Sequence, residues 1–376
     1  MPHDIAMVLV GGRGTRLGRI TRNKAKPAVP FGGKYKLIDF VLSNLSHASI
    51  DTVGIVTQYE PHALMHYIQR GASWDLDVSV GGVQFLTPYT SHEGEERWQR
   101  GTAHAIKQHW HFIEQYRPER VLILSGDHVY KMNYRKMIEH HITSKAAITI
   151  GAFKPHDDLR RYGLLSIDEH NRITDFIEKP DQPNSTLASM GIYVFNTDTL
   201  EKLLLELPKE EVDFGKDLIP RALHNNVPMN AYVFDGYFRD VGTVESLFEA
   251  NMDLLNHPDY LNIHDYVEAP LFTKSQDLPP HHVTASGSVT HSMISDGSLI
   301  SGRVEHSILA HHVLVKAFSV VENSLLYAGV IVGEHAEIKN CIVLEDTVIL
   351  PKTRLVFDTV QVIDNETLWQ MGRESS

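Results

Sequence analysis

The sequence predicts an α/β domain with a mostly parallel central sheet, followed after a connecting segment by a parallel β-helix. Three observations carry this expectation. Short apolar runs alternate with amphipathic helical stretches over residues 1–254, the pattern of βα units. Prolines and histidines then crowd a stretch poor in periodicity, with Asn256-His257-Pro258, Pro270 and Pro279-Pro280-His281-His282. Beyond it every sixth residue from Ile308 is apolar: Ile308, Leu314, Val320, Leu326, Val332, Ile338, Leu344, Leu350 and Val356. Six residues make one side of a triangular coil, whereas a β-sandwich alternates with period two. Two residues ahead of the later positions, Phe318, Ser324, Val330, Ala336, Ile342 and Val348 read as corners. The expected divisions are 1–254, a linker over 255–282, and 283–376.

Within the first part, strands are expected at Ile5–Val10, Thr52–Thr57, Val121–Ser125, Ala147–Ala152 and Gly191–Phe195. Helices are expected through Phe40, Leu42 and Leu45 with Asp39 as cap, and over His62–Tyr67, Ala103–Glu114 and Tyr134–His141. Strands ending at Gly11, Gln58 and Gly126 would deliver those residues to one carboxyl edge of the sheet, where open α/β sheets bind ligands.

At 376 residues the chain exceeds what one hydrophobic core usually serves, so two domains are expected. A net charge of −12 excludes a general basic surface for nucleic acid or anionic lipid. No apolar run reaches membrane-spanning length. The first strand begins almost at once, which leaves no room for a targeting peptide. A single cysteine, Cys341, rules out an internal disulfide and suits a cytoplasmic protein.

The chemistry gathers around Val10-Gly11-Gly12-Arg13-Gly14-Thr15-Arg16. Closely spaced glycines let backbone amides approach an anion, and Arg16 adds a forked, permanently charged donor. The loop lacks the Gly-Lys-Ser/Thr ending of a Walker loop, but Lys24-Ala25-Lys26-Pro27 brings lysines that could reach the same phosphates. Ser125-Gly126-Asp127-His128 ends the most apolar strand, so Asp127 is either a Mg²⁺ ligand or a helix cap. Phe176-Ile177-Glu178-Lys179-Pro180 pairs a carboxylate with an ammonium, and Arg239-Asp240-Val241-Gly242-Thr243 supplies a second aspartate ahead of a helix. A phosphate loop, basic groups and separated aspartates, with no serine or cysteine nucleophile machinery, suit phosphoryl or nucleotidyl transfer. There charge neutralisation matters more than a general base. The 23 histidines include His140-His141, His281-His282 and His311-His312 without zinc-site spacing, and they read as surface or turn residues. His306, His311, His312 and His335 could alternatively serve an acyltransferase-like β-helix.

Several of these segments, with others, resemble the bacterial glucose-1-phosphate adenylyltransferases among the sugar nucleotidyltransferases. They are Gly11 to Leu17, Ala25 to Tyr35 with Phe31-Gly32-Gly33-Lys34-Tyr35, Thr57-Gln58-Tyr59, Arg100-Gly101-Thr102-Ala103, Ser125 to Met132, Glu178-Lys179-Pro180, Ala188 to Tyr193, Asp213-Phe214-Gly215-Lys216-Asp217 and Arg239 to Thr243. The resemblance implies a Rossmann-like nucleotidyltransferase domain followed by a left-handed β-helix, in a cytoplasmic homotetramer with or without a paralogous regulatory subunit. It implies ATP and glucose 1-phosphate as substrates and Mg²⁺ as cofactor. By the same resemblance, Gly11, Gly12, Gly14, Thr15, Arg16 and Lys26 hold the triphosphate, with Arg16, Lys26 and Asp127 catalytic. Gln58, Gly101 and Thr102 line the adenine; Gly163, Glu178, Lys179 and Ser189 receive the sugar phosphate; Asp127 and Asp240 carry the metal. A related enzyme using another base or sugar, and a non-catalytic regulatory subunit, are the alternatives. The chain departs from the family pattern at Val10, Gln99, Asn133 and Phe238. Where many members bind glycolytic activators through basic residues, it reads Thr21-Arg22-Asn23-Lys24, with Asn23 uncharged.

Overall fold

The computed structural model describes residues 3–12, 14–88, 101–155, 158–207, 212–265, 267 and 269–374. The chain divides into two units, Met1–Gly12 with Phe40–Phe238, and Arg13–Asp39 with Arg239–Ser376.

The first unit is built on a nine-stranded sheet. Its strands are β1 (Asp4–Val10), β2 (Thr52–Thr57), β3 (Gly82–Leu86), β4 (Arg120–Ser125), β5 (Ile148–Phe153), β6 (Gly163–Ile167), β7 (Ile173–Glu178), β8 (Leu187–Asn196) and β9 (Met229–Val233). The order runs β7-β6-β8-β4-β1-β2-β3, with β5 beside β8 and β9 beside β5. β4, β1, β2 and β3 are mutually parallel. β8 runs antiparallel to β4, β5 and β6, so the sheet is mixed. The apolar runs of β1 and β2 are continuous because both faces are covered, and Ile5, Met7 and Val56 join one buried cluster with Phe112, Ile123, Phe195 and Leu203.

Helices differ from expectation in two places. Residues 103–114 form two helices, Thr102–Gln108 and Trp110–Tyr116, broken at His109. His109 is 1% exposed, and burial, with nearby His111, pushes its imidazole down to about 4. The neutral ring is therefore the folded form. Between the ordinary value and about 4 the unfolded chain binds more protons, so acidification through that window removes stability, on the order of 3 kcal/mol. A His109→Phe variant is expected to lose this part of the pH dependence in denaturant titrations between pH 7 and pH 4. The second difference concerns Asp39, which is not the cap of its helix. That helix spans Leu37–His47, and Asp39 in its first turn accepts the Lys36 N–H at 2.9 Å, the acidic half of a capping box. Asn133 does cap its helix, Tyr134–Thr143, accepting from the amides of Arg135 and Lys136 at 3.0 and 3.4 Å. Asparagine caps as well as aspartate, so this departure from the family pattern costs the fold nothing. Phe238 packs against the rings of His128, Tyr130 and Phe153.

In the second unit, the helix Val244–Asn256 opens with a capping box between Thr243 and Ser246. The region from His282 to Ile363 is a three-sided parallel β-helix. Three inward columns fill it: Ile300, Val315, Val332 and Ile349; Val304, Val321, Ile338 and Leu355; Leu309, Leu326, Val343 and Ile363. Pairs such as Val315 with Val332 and Val332 with Ile349 make a coil 17 residues long, with two sides of six and one of five. The strict six-residue ladder read from sequence therefore slips by one residue per coil. Leu326, Val332 and Ile338 point inward, but Leu350 is 67% exposed. Of the expected corners, Ser324, Val330, Ala336 and Ile342 are buried, whereas Phe318 and Val348 are exposed.

The sharp corners lie elsewhere, at stacked residues with left-handed backbone. One stack is His291, His306, Asn323 and Asn340; a second is Gly297, His312, Gly329 and Asp346; a third is Phe318, His335 and Lys352. Asparagine, aspartate and histidine are the non-glycine residues that tolerate this conformation best, which accounts for the histidines at these corners. Side chains bond up the first stack. His306 Nδ1 lies 2.8 Å from Asn323 Oδ1, Asn323 Nδ2 donates to Asn340 Oδ1 at 2.6 Å, and Asn340 Nδ2 donates to the Phe357 carbonyl at 2.5 Å. Among the described residues no helix is long and apolar enough to cross a membrane.

Candidate active site

The first unit gathers the expected residues at the carboxyl edge of its parallel strands. Val10 pairs with Thr57 and Leu9 with Ser125, so Gly11 after β1, Gln58 after β2 and Asp127 after β4 emerge side by side. A Cβ on Gly11 would meet Gln58 Oε1 at 3.8 Å, and one on Gly12 would meet nothing within 4 Å among the described residues. The backbone there is open to a ligand. Arg13 lies outside the described residues. Asp127 accepts a hydrogen bond from the Ser125 hydroxyl, and His128 Nε2 is 3.6 Å away. A short strand, His128–Tyr130, follows Asp127, which eliminates the helix-cap alternative.

Gly101 and Thr102 are locked to the segment after residue 211. Gly101 has φ 119°, and a Cβ there would sit 2.3 Å from the Val212 carbonyl oxygen. The Thr102 hydroxyl donates to Asp213 Oδ2 at 2.7 Å and accepts from the Phe214 amide at 3.0 Å. Asp213 also accepts the Gly215 amide at 2.9 Å. Sequence reasoning gives Asp213 no role, although its motif is the available signal. Gln99 and Arg100 lie outside the described residues.

At the end of β7 the Glu178 carboxylate is wedged between two glycines. A Cβ would fall 2.7 Å from its Oε2 at Gly163 and 2.4 Å at Gly215, so a side chain at either position would displace the carboxylate. Lys179 follows with φ 46°, its exposed ammonium 3.4 Å from Glu178 Oε1. A left-handed lysine costs conformational energy. Ser189 sits on β8 where the pairing with β5 breaks, its hydroxyl accepting the Gly191 amide at 3.1 Å. Burial raises the phenol pKa of nearby Tyr193, with the Ser189 hydroxyl opposing.

The second unit holds the rest of the glycine loop. A short helix, Thr15–Thr21, kinks at Gly18, and the Thr21 hydroxyl donates to the Gly14 carbonyl at 2.8 Å. Lys26 is buried, and its ammonium donates to Asp240 Oδ1 at 3.0 Å. Arg16 lies against Gly242: a Cβ there would fall 2.9 Å from its Nη2 and 3.4 Å from Asp240 Oδ2. Gly242→Ala is therefore expected to push the Arg16 guanidinium aside without unfolding the chain. The expected reading is substrate binding weakened on the order of tenfold with an unchanged thermal midpoint.

Asp127 and Asp240 offer hard carboxylate oxygens. Among the described residues no three His, Cys, Asp or Glu side chains are grouped to hold a metal. Mg²⁺ takes one or two carboxylates and completes its shell with phosphates and water, so a single carboxylate in either unit is a suitable donor.

Residues 5–257 match the nucleotidyl transferase family, and residues 279–367 match the GlmU-like C-terminal hexapeptide family. The glucose-1-phosphate adenylyltransferases of Bacillus anthracis, Bacillus thuringiensis (strain Al Hakam) and Bacillus mycoides (strain KBAB4) are each 43% identical to it over 371 residues. Each alignment covers 96% of this chain and 98% of the relative. With a mixed α/β sheet, a hexapeptide β-helix and relatives alike from end to end, this chain belongs to the nucleotidyl transferase family, in its glucose-1-phosphate adenylyltransferase branch.

Proposed function

We propose that this protein transfers the adenylyl group of ATP to glucose 1-phosphate, giving ADP-glucose and pyrophosphate for glycogen synthesis. The observation that carries this reading is the wedged Glu178 with Lys179 beside it, a built receptor for a phosphorylated sugar, in a chain that also presents Gly11, Gln58 and Asp127 at one sheet edge. In this reading the backbone of Gly11, Gly12 and Gly14 and the side chains of Thr15, Arg16 and Lys26 hold the triphosphate. Gln58, Gly101 and Thr102 bound the adenine. Gly163, Glu178 and Ser189 orient the sugar, and Lys179 holds its phosphate. A phosphate oxygen of glucose 1-phosphate forms a bond to the α-phosphorus while the bond to the bridging oxygen breaks, and that oxygen leaves with pyrophosphate.

The attacking oxygen is already ionised, so no side chain need remove a proton. Arg16 and Lys26 are fixed cations for the charge that builds on the leaving group. Asp127 and Asp240 are the carboxylates assigned to Mg²⁺, which when bound supplies further neutralisation of the triphosphate. Lys26 and Asp240 meanwhile satisfy each other across 3.0 Å.

In this reading the functional divisions are 1–254, 255–282 and 283–376. A cytoplasmic homotetramer, with or without a paralogous regulatory subunit, completes the reading; the lone, buried Cys341 suits that compartment. An anionic activator near residues 21–24 would have to displace Glu366 from Arg22 and Glu345 from Lys24.

The test incubates the full chain with Mg²⁺, glucose 1-phosphate and each nucleoside triphosphate, and measures pyrophosphate. Release with ATP above all others is expected. Preference for UTP or dTTP overturns the adenylyl assignment, and no release with any triphosphate overturns the enzyme. Lys179→Gln is expected to raise the KM for glucose 1-phosphate on the order of tenfold through loss of a charged phosphate contact. A selective effect on ATP would reverse the two phosphate assignments.

A further inference from the structure

The short helix that carries Arg16 is moored at its far end to the C-terminal segment. Arg19 Nη1 donates to both carboxylate oxygens of Asp364 at 3.0 Å and to Glu366 at 3.3 Å. Arg22 donates to the same Glu366 at 2.5 Å, and Lys24 pairs with Glu345. Asp364 is itself held. Its Oδ1 accepts the Thr367 amide and hydroxyl at 2.7 Å, capping the helix Asn365–Glu374, whose Leu368 and Met371 pack against the β-helix core. Burial would raise the Asp364 pKa, but Thr367 and Arg19 outweigh it and hold the carboxyl below its ordinary value.

The mooring reaches the phosphate loop through a short path. Arg19 belongs to the second turn of a helix kinked at Gly18, and Ile20 in that turn is fully buried. Thr21 closes the turn and donates to the Gly14 carbonyl, which also accepts the Leu17 amide at 2.9 Å. Arg16 lies between the two fixed ends. Gly18, with φ 54° and ψ −119°, is the point at which this seven-residue stretch could otherwise swing.

We propose that Arg19, through Asp364 and Glu366, is a positioning residue for adenylyl transfer: it fixes the Thr15–Thr21 turn so that Arg16 meets the triphosphate. This rests on the reading of Arg16 as a triphosphate ligand. The C-terminal helix is thus part of the nucleotide-binding apparatus, although it carries no ligand of its own.

The test measures the KM for each substrate and the thermal midpoint in the full chain for Arg16→Gln, Arg19→Gln, Arg19→Lys and Asp364→Asn. Arg19→Gln and Asp364→Asn are expected to raise the KM for ATP on the order of tenfold, with the KM for glucose 1-phosphate within about twofold of the parent. Arg19→Lys, which keeps a cation for Asp364 and Glu366, is expected to recover most of the ATP loss. An effect of Arg16→Gln on ATP with none from Arg19→Gln or Asp364→Asn overturns the positioning role alone. So does a rise in both KM values together with a fall in thermal midpoint, the signature of general loosening. An Arg16→Gln variant with unchanged KM for ATP overturns the reading on which the inference rests.

Discussion

Asp127→Asn is expected to lower kcat by about 10²–10³-fold or more while leaving the fold intact. The substitution keeps the shape of the side chain and an oxygen able to accept from the Ser125 hydroxyl, so the turn between β4 and the strand His128–Tyr130 retains its hydrogen bond. What it removes is the negative charge at the carboxyl edge of the sheet. In the proposed reading that charge would hold the divalent cation, and an amide oxygen is a much weaker ligand. Pyrophosphate release at saturating substrates, measured across a Mg²⁺ titration, reads the loss, and thermal melting checks the fold. A variant that turns over at the parental rate removes Asp127 from the reacting centre.

Gly101→Ala is expected to act on a different link of the chain, from backbone to packing. Its φ of 119° is scarcely available to alanine, and the new methyl would sit 2.3 Å from the Val212 carbonyl oxygen and 2.7 Å from the carbonyl carbon. Neither atom belongs to a flexible side chain, so the backbone must move. The expected cost is about 2–4 kcal/mol, read as a fall of several degrees in thermal midpoint. Because Ala103 and His104 donate their amides to the same Val212 carbonyl, and Thr102 bonds to Asp213, the displacement should also reach both substrates. A stable variant with parental KM values would mean that this segment does not set the geometry of the site.

These two positions also mark what can be read from the sequence. The run from Ile5 to Gly14 announces a strand and a phosphate loop, because a buried parallel strand is a continuous apolar run and an anion loop needs glycine. The alignment of Gly11, Gln58 and Asp127 follows from the same logic. The role of Gly101 does not, since the residue it spares, Val212, lies more than a hundred positions away. Nor does the wedging of Glu178 between Gly163 and Gly215, which depends on three segments meeting. Asp39 reads as a cap because local pattern cannot tell the position before a helix from the third within it. In the β-helix the period is legible and its phase is not. One side in three has five residues, so a count of six agrees with the core for a few steps and then leaves Leu350 in solvent.

The ladder of side chains up the first corner has a direction, and the direction fixes a proton. The Phe357 carbonyl can only accept, so Asn340 must turn its amide nitrogen upward and its oxygen down. Asn323 is then bound to offer its nitrogen to Asn340 and its oxygen to the ring below. His306 therefore carries hydrogen on Nδ1. Its Nε2 lies 2.8 Å from Asn256 Oδ1, an acceptor, at the end of the helix Val244–Asn256. A main-chain carbonyl three coils away thus fixes which way an imidazole nitrogen bonds up the stack.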